Sequence, residues 1–453
     1  MRTTNETLRG LLNEARWTGD ALAKQVNALA AEIGLLIRLD RRSVSHWLAG
    51  RHPRSPLPEL IAEAFARRLG QPVSVSDIGL TSPDSPFPED PNADPLDTLE
   101  FLCRLAESGR ESDQGGVYSL ADLANVPAWP AGGELYRPPL REPAGARLEP
   151  EHVVAAEQMA QVFMGADSVF GGGYARAALA RYLAYDIAPR LRAPARRETR
   201  SRMLSVATEL AYLCGFMCFD DEQNAIAQRY YLVSLKLSVE NEDPVGYAVA
   251  LRAMSVQARA LGHAREALTL AKAAVASVEG TASAVSDAQR ASLYGPLAVA
   301  AAAHGDRDAA LAALTRAQRL GAGSPTGFAA ADDRRICQYR AASHAYQEAA
   351  VRSLLGDRSG AIRVLSESVR RRPADERRSR AITLASLAEL HLDQGHLEES
   401  IAACHAFIDD YPPLHSSRAR TALHHLTARL RPHAANHGAR QLLVRAAAVS
   451  RPG

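Results

Sequence analysis

The segment LGHAREALTLA, residues 261–271, sets a pattern that returns along the second half of the chain. Gly262 is followed five residues later by Ala267 and four after that by Ala271. The same spacing recurs in HGDRDAALAAL (Gly305, Ala310, Leu314), LGDRSGAIRVL (Gly356, Ala361, Leu365) and QGHLEESIAAC (Gly395, Ser400, Cys404). A degenerate version, FDDEQNAIAQRYY, puts Glu222, Ala227 and Tyr231 in those places. Glycine ends a helix well because it enters the left-handed region without a Cβ clash. A polar residue then starts a second helix, and the small residue at the close approach lets the two helices pack. The pattern predicts stacked helical hairpins.

The glycines at 262, 305, 356 and 395 lie 43, 51 and 39 residues apart. The phrase resembles the tetratricopeptide repeat, whose ideal period is about 34 residues. Pro373 and Pro412 sit where that family places a proline near the end of the second helix. Extended helices or loops, such as GAGSPTGF at 321–328, have to absorb the excess length. Composition agrees with helices: 47% of residues are hydrophobic, with alanine dominant, and aromatics are 6%. The expected fold class is all-α. An N-terminal helix-turn-helix domain (1–80) is joined by a Pro-rich linker (81–150) to a right-handed α-solenoid of TPR-like hairpins (151–453).

The linker reading rests on eleven of the 25 prolines falling between 81 and 150, in strings such as SPDSPFPEDPNADP and YRPPLREP. That density excludes a continuous helix, leaves room for a short one at 96–107, and predicts halves that move relative to each other. Before it, helices are expected over 5–16, 18–32 with Thr18 as cap, from Asp40, and over 57–69. The stretch LDRRSVSHWLAGRHPRSPLPELIAEAFARRLGQPVSVSDIGL, residues 39–80, resembles the recognition half of the lambda-repressor-like helix-turn-helix family. Asp40 caps the helix, Val44 and Trp47 face inward, and Gly50 ends it. Upstream, DALAKQV at 20–26 is similar to the first helix of that pair, but Ala23 and Val44 are 21 residues apart where the family has about ten. The extra NALAAEIGLLI either lengthens the first helix or opens the turn.

That resemblance implies a recognition helix entering the major groove of double-stranded operator DNA, with Arg41, Arg42 and His46 at base edges. Ser43, Ser45, Arg51 and Arg54 suit phosphate contacts, with Thr18 and Lys24 added from the preceding helix. The bland alternative for the two arginines is a solvated face. SVSHWLAGRHPR, the proline-rich joint and FGGGYARAALARYL ahead of Ala-rich repeats together look like a family of actinobacterial regulators. The implied role is transcriptional control of development or secondary metabolism. The architecture is also similar to peptide-responsive quorum-sensing regulators of Gram-positive bacteria. A homodimer is expected, because one such module reads too few base pairs, and the acid-free tail after Tyr411 is a candidate contact.

The repeat pattern aims Glu209, Tyr212, Phe216, Arg252, Arg259 and Tyr346 at the concave side, as a groove for a peptide, small-molecule or protein ligand; ordinary packing between repeats is the equal alternative. Net charge is only +2, and arginine outnumbers lysine 50 to 3, a bias shared by the repeats and hence compositional. The five cysteines are too scattered for a disulfide framework or a zinc site. No cofactor or metal is expected, and no nucleophile–base pair suggests an enzyme. FGGGYAR at 170–176 lacks the ending of a phosphate loop and reads as a flexible helix cap. With no apolar leader or long apolar run, a cytoplasmic protein without membrane contact is expected. Two readings remain: a DNA-binding regulator modulated through its repeats, and an interaction scaffold whose N-terminal module does not bind DNA.

Overall fold

A computed structural model describes residues 4–32, 35–80, 93–109, 116–129, 147–279, 285–322 and 341–450. Most of the proline-rich strings, residues 323–328 of the GAGSPTGF loop, Cys337 and Arg451 lie outside them. Among the described residues every regular element is helical. The N-terminal module comprises α1 (Glu6–Glu14), α2 (Gly19–Glu32), α3 (Arg41–Leu48) and α4 (Leu57–Leu69). Then come α5 (Pro95–Glu107), α6 (Pro150–Phe170) and α7 (Gly172–Tyr182).

Six hairpins follow. They are α8 (Arg197–Asp220) with α9 (Asn224–Glu240), α10 (Pro244–Ala260) with α11 (Ala264–Ala276), and α12 (Asp287–His304) with α13 (Arg307–Ala322). The other three pair α14 (Ala341–Leu354) with α15 (Arg358–Arg371), α16 (Arg377–Asp393) with α17 (Leu397–Asp410), and α18 (Ser417–Leu430) with α19 (His437–Val449). The repeat phrase marks the turn inside each of the four middle hairpins. Gly262, Gly305, Gly356 and Gly395 have φ of 90°, 91°, 90° and 76°, and Glu222 takes the equivalent place in the first hairpin at φ 60°. The small residues five positions on, Ala227, Ala267, Ala310, Ala361 and Ser400, are all fully buried. Serines tie helix to helix across several of these contacts: Ser255 Oγ donates to the Ala267 carbonyl at 2.7 Å, and Ser400 Oγ to that of Ala388 at 2.9 Å. α8 is apolar enough to cross a membrane, but 83% of its apolar window is buried among its neighbours, so its apolarity serves the core.

The array closes on itself. At the end of α6, Asp167 Oδ2 accepts from Arg378 Nη2 at 3.0 Å, on α16, and Ser168 Oγ donates to the Asp375 carbonyl at 3.2 Å. The strand-like stretch before α18 then docks on FGGG: His415 N–H donates to the Phe170 carbonyl (2.6 Å) and Gly173 N–H to the His415 carbonyl (2.8 Å). Ser417 and Thr421 of α18 donate to Asp221 and Glu222 of the first hairpin turn at 2.7 and 2.9 Å. FGGG is therefore not a flexible cap but a seat. A Cβ on Gly172 would lie 2.3 Å from the Met217 carbonyl oxygen, and one on Gly171 or Gly173 would lie 2.9 Å from that of His415. Two arginines of the last hairpin are paired within the chain, Arg429 with Asp393 at 2.7 Å and Arg445 with Asp409.

The N-terminal module has its own core, built on Leu8, Leu22, Val26, Val44, Leu60 and Phe65. The extra residues between α2 and α3 resolve into a longer first helix and a return segment. Asn27 clamps the latter, its side chain accepting from Leu39 N–H and donating to the Leu39 carbonyl, both at 2.9 Å. Part of the proline-rich stretch packs as a strap between this module and the array. Tyr118 and Leu120 are buried in the module's core, and Leu120 N–H donates to Glu63 Oε2 at 3.1 Å. On the other side, Ser119 exchanges two hydrogen bonds with the Gln228 side chain (3.1 and 2.8 Å), and Trp129 stacks on Tyr247 at 5.1 Å. Pro127 sits within this strap, its carbonyl accepting from the Tyr247 hydroxyl at 2.6 Å, and does not break it, because the strap needs side-chain partners rather than a ladder of its own.

Two glycine substitutions separate closure from hairpin turning. Gly262→Ala meets nothing within 4 Å and should cost about 1–2 kcal/mol for a left-handed alanine. Gly172→Ala drives a Cβ into the backbone of α8 and should cost about 3 kcal/mol or more. Urea denaturation of both variants checks the order.

Candidate functional site

The first helix of each hairpin turns a stripe of side chains toward the axis of the closed array. On α8 the stripe is Tyr212, Phe216 and Phe219, on α10 Arg252, Val256 and Arg259, and on α16 Arg378, Ile382 and Thr383. Each set follows helical spacing, so one face of each helix points inward. Ser292 and Pro296 of α12, Ser343 and Tyr346 of α14, and Arg418 of α18 complete a cavity of about 420 Å³. Tyr212, Phe216, Arg252, Arg259 and Tyr346 thus meet in one lumen, while Glu209 is not among its lining residues. Asp167, Phe219, Arg372, Arg378 and Arg418 also line it. Apart from Phe219, which opens the degenerate repeat phrase, their sequence signal is weak, because they lie outside that phrase.

Charge is unevenly matched there. Arg378, buried, lies 3.0 Å from Asp167 Oδ2 and 4.0 Å from Asp220 Oδ1, and its guanidinium stacks 4.6 Å from the Phe216 ring centroid. Desolvation works against its charge, but the two carboxylates outweigh it and raise its pKa. Burial pushes the Asp167 carboxyl up to about 6, with Arg378 pulling down and Asp220 pushing up. Arg372 pairs with Glu376 at 2.9 Å, and Arg252 donates to the Tyr212 hydroxyl at 3.0 Å. Arg259 and Arg418 have no ion-pair partner among the described residues. Arg418 lies 4.8 Å over the Phe219 ring. Desolvation lowers the Arg259 pKa, Tyr346 pulls it back up in part, and the like charge of Arg418 adds a smaller downward push.

The residues expected to touch DNA cluster at the opposite end of the chain. Asp40 caps α3, accepting from Ser43 N–H at 2.9 Å, and the Ser43 hydroxyl is spent on the same cap at 3.0 Å. Arg41 and Arg42 are exposed on the first turn, Ser45 bonds the Arg41 carbonyl, and His46 is half-buried. Arg51 and Arg54 are exposed in the loop after α3. Thr18 accepts from Ala21 N–H at 3.2 Å to cap α2, and Lys24 pairs with Asp20 at 2.8 Å. Val44 and Trp47 are core residues, at 0% and 5% exposure. A third cluster was not legible at all: Glu63, 1% exposed, faces Leu120 N–H, Arg67 Nε at 3.1 Å and His263 Nε2 at 3.3 Å. Tyr118 stacks on His263 at 5.5 Å.

Residues 8–81 match the family model of the SP15 N-terminal domain, which is not a helix-turn-helix family. A comparison with curated proteins finds no match. Among solved structures, a Podosopora anserina protein described as a kinesin light chain with nearly identical TPR-like repeats aligns with 46% of this chain and 95% of its own, at 17% identity and a TM-score of 0.31. So loose a superposition carries no argument; the TPR-like organisation rests on the hairpins themselves.

The Asp167 environment gives a signed pH dependence. The native carboxyl holds its proton up to about pH 6, against an ordinary value of 3.8, so its contribution is fully present below about pH 4 and fades as pH rises through 6. The stability advantage of the wild type over Asp167→Asn should therefore shrink by up to about 3 kcal/mol between pH 4 and pH 7.5. Denaturation midpoints of both proteins across that range test this; a constant difference would contradict it.

Proposed function

We propose that the chain is a non-catalytic interaction scaffold, in which the closed array of TPR-like hairpins holds a binding partner in its lumen and carries the N-terminal module strapped to its outside. The observation that carries this reading is the pair Arg259 and Arg418, which face the cavity without a carboxylate among the described residues. Holding like charges together away from water is costly, and a fold that needed only packing would place apolar side chains there. Inward stripes of aromatic and arginine side chains also match what binding sites concentrate. A photo-crosslinking residue in place of Tyr346 tests the reading. It should trap a bound species in vivo that the same residue in place of Leu311, exposed on α13, does not. Equal or absent trapping at position 346 would defeat the lumen as the binding surface.

A second reading, a transcriptional regulator working as a homodimer on operator DNA, is favoured by one observation. The capped α3 exposes Arg41 and Arg42 at its N-terminal end, beside the exposed Arg51 and Arg54. In that reading Arg41→Ala or Arg42→Ala removes about 1–3 kcal/mol of base discrimination, and Arg51→Ala weakens all duplexes alike. Fluorescence anisotropy with duplex DNA at low and moderate salt separates the two. The scaffold reading expects no salt-dependent affinity in residues 1–80.

A further inference from the structure

The lumen is rich in donors and poor in acceptors. Arginines supply most of its polar atoms, and an arginine only donates. Asp167, the one carboxylate among the described lining residues, is committed to Arg378. An extended peptide would need acceptors for its N–H groups as well as donors for its carbonyls, and the described lining residues offer few beyond hydroxyls, the amide of Gln347 and the His344 ring. An anion needs donors alone. Arg259 and Arg418, without an ion-pair partner among the described residues, call for about two negative charges, which a phosphate monoester carries near neutral pH. Guanidinium forks match its oxygens in pairs.

The remaining walls ask for something flat. Tyr212 and Phe216 lie near-parallel, 11° apart with centroids at 6.4 Å, and Tyr231 adjoins Tyr212 at 6.1 Å. Phe219 already carries Arg418 on its face, which fixes that guanidinium beside the aromatic wall. A cavity of about 420 Å³ has the size of a small-molecule site. We propose that the lumen binds a phosphate monoester carried on a planar aromatic body, the chemistry of a nucleoside monophosphate, with Arg259 and Arg418 receiving the phosphate and the α8 aromatics receiving the plane. This rests on the scaffold reading and names the occupant of its lumen.

The test uses the full-length protein, isothermal titration calorimetry and thermal denaturation, with the four nucleoside monophosphates as probes and adenosine and inorganic phosphate as controls. At least one monophosphate should bind one per chain and raise the melting temperature, while both controls bind at least about tenfold more weakly. Arg259→Gln and Arg418→Gln should each weaken that binding about tenfold or more, as loss of a charge-assisted hydrogen bond does. Arg41→Ala should leave it unchanged. Arg259→Gln should also melt higher than the wild type without ligand, because it removes a desolvated charge facing a like charge. A purely structural arginine would do the opposite, which keeps the test decisive should Arg418→Gln fold poorly. The proposal is overturned if no monophosphate binds, if inorganic phosphate binds equally well, or if affinity survives both arginine substitutions. Trapping of a peptide at position 346 would overturn it too while leaving the scaffold reading intact; absence of trapping there removes the scaffold reading itself.

Discussion

One guanidinium between two buried acids organises the array. Arg378 reaches Asp167 on α6 and Asp220 at the end of α8, joining helices 211 and 158 residues away in sequence. Removing one partner of such a group strands a charge in the interior and costs about 3–5 kcal/mol. The same guanidinium lies on Phe216, so the residue that closes the array also forms part of its inner wall. Closure and lumen cannot be altered separately at this point. The glycine seat at 171–173 supplies the steric half of the same joint, letting the His415 backbone reach hydrogen-bonding distance of α6 and α7.

What could be read from the sequence was local. A hairpin turn needs a left-handed residue and a small residue at fixed offsets, so Gly262, Gly305, Gly356 and Gly395 announced four hairpins, and Glu222 a fifth. The last hairpin, turned by Arg431–His433 with no such glycine, left no mark. The inward faces of α8 and α10 follow from helical spacing, which places Tyr212 and Phe216, and Arg252 and Arg259, on one side of their helices. Arg378 and Arg418 escaped because their place depends on where the two ends of the array meet. FGGG was conspicuous, but its meaning lay in a partner segment some 240 residues away. Proline density at 81–150 speaks against a continuous helix, yet it is blind to a strap held by side chains from other elements.

That strap changes how the N-terminal module relates to the repeats. Glu63 on α4 meets the strap at Leu120 and α10–α11 at His263, and Arg265 of α11 donates to the Gly70 carbonyl. A carboxylate so buried is tolerable only while these donors stay in place. The module is held against the outer side of the second hairpin, with α3 and its exposed arginines left free of that contact. Whatever α3 meets, it meets from a fixed position rather than from the end of a loose tether.

An open solenoid is a one-dimensional object: repeats stack on neighbours, each end is free, and units are gained or lost with little consequence for the rest. Joining α6 to α16 and α18 removes that freedom. The number of hairpins becomes a fixed integer, since one more or one fewer would separate Asp167 from Arg378 by the width of a repeat. Unfolding changes character as well, because no hairpin between α8 and α17 is terminal enough to fray alone and the loss of any one of them opens the loop for all. This protein has exchanged the expandability of a repeat array for the cooperativity of a globular domain.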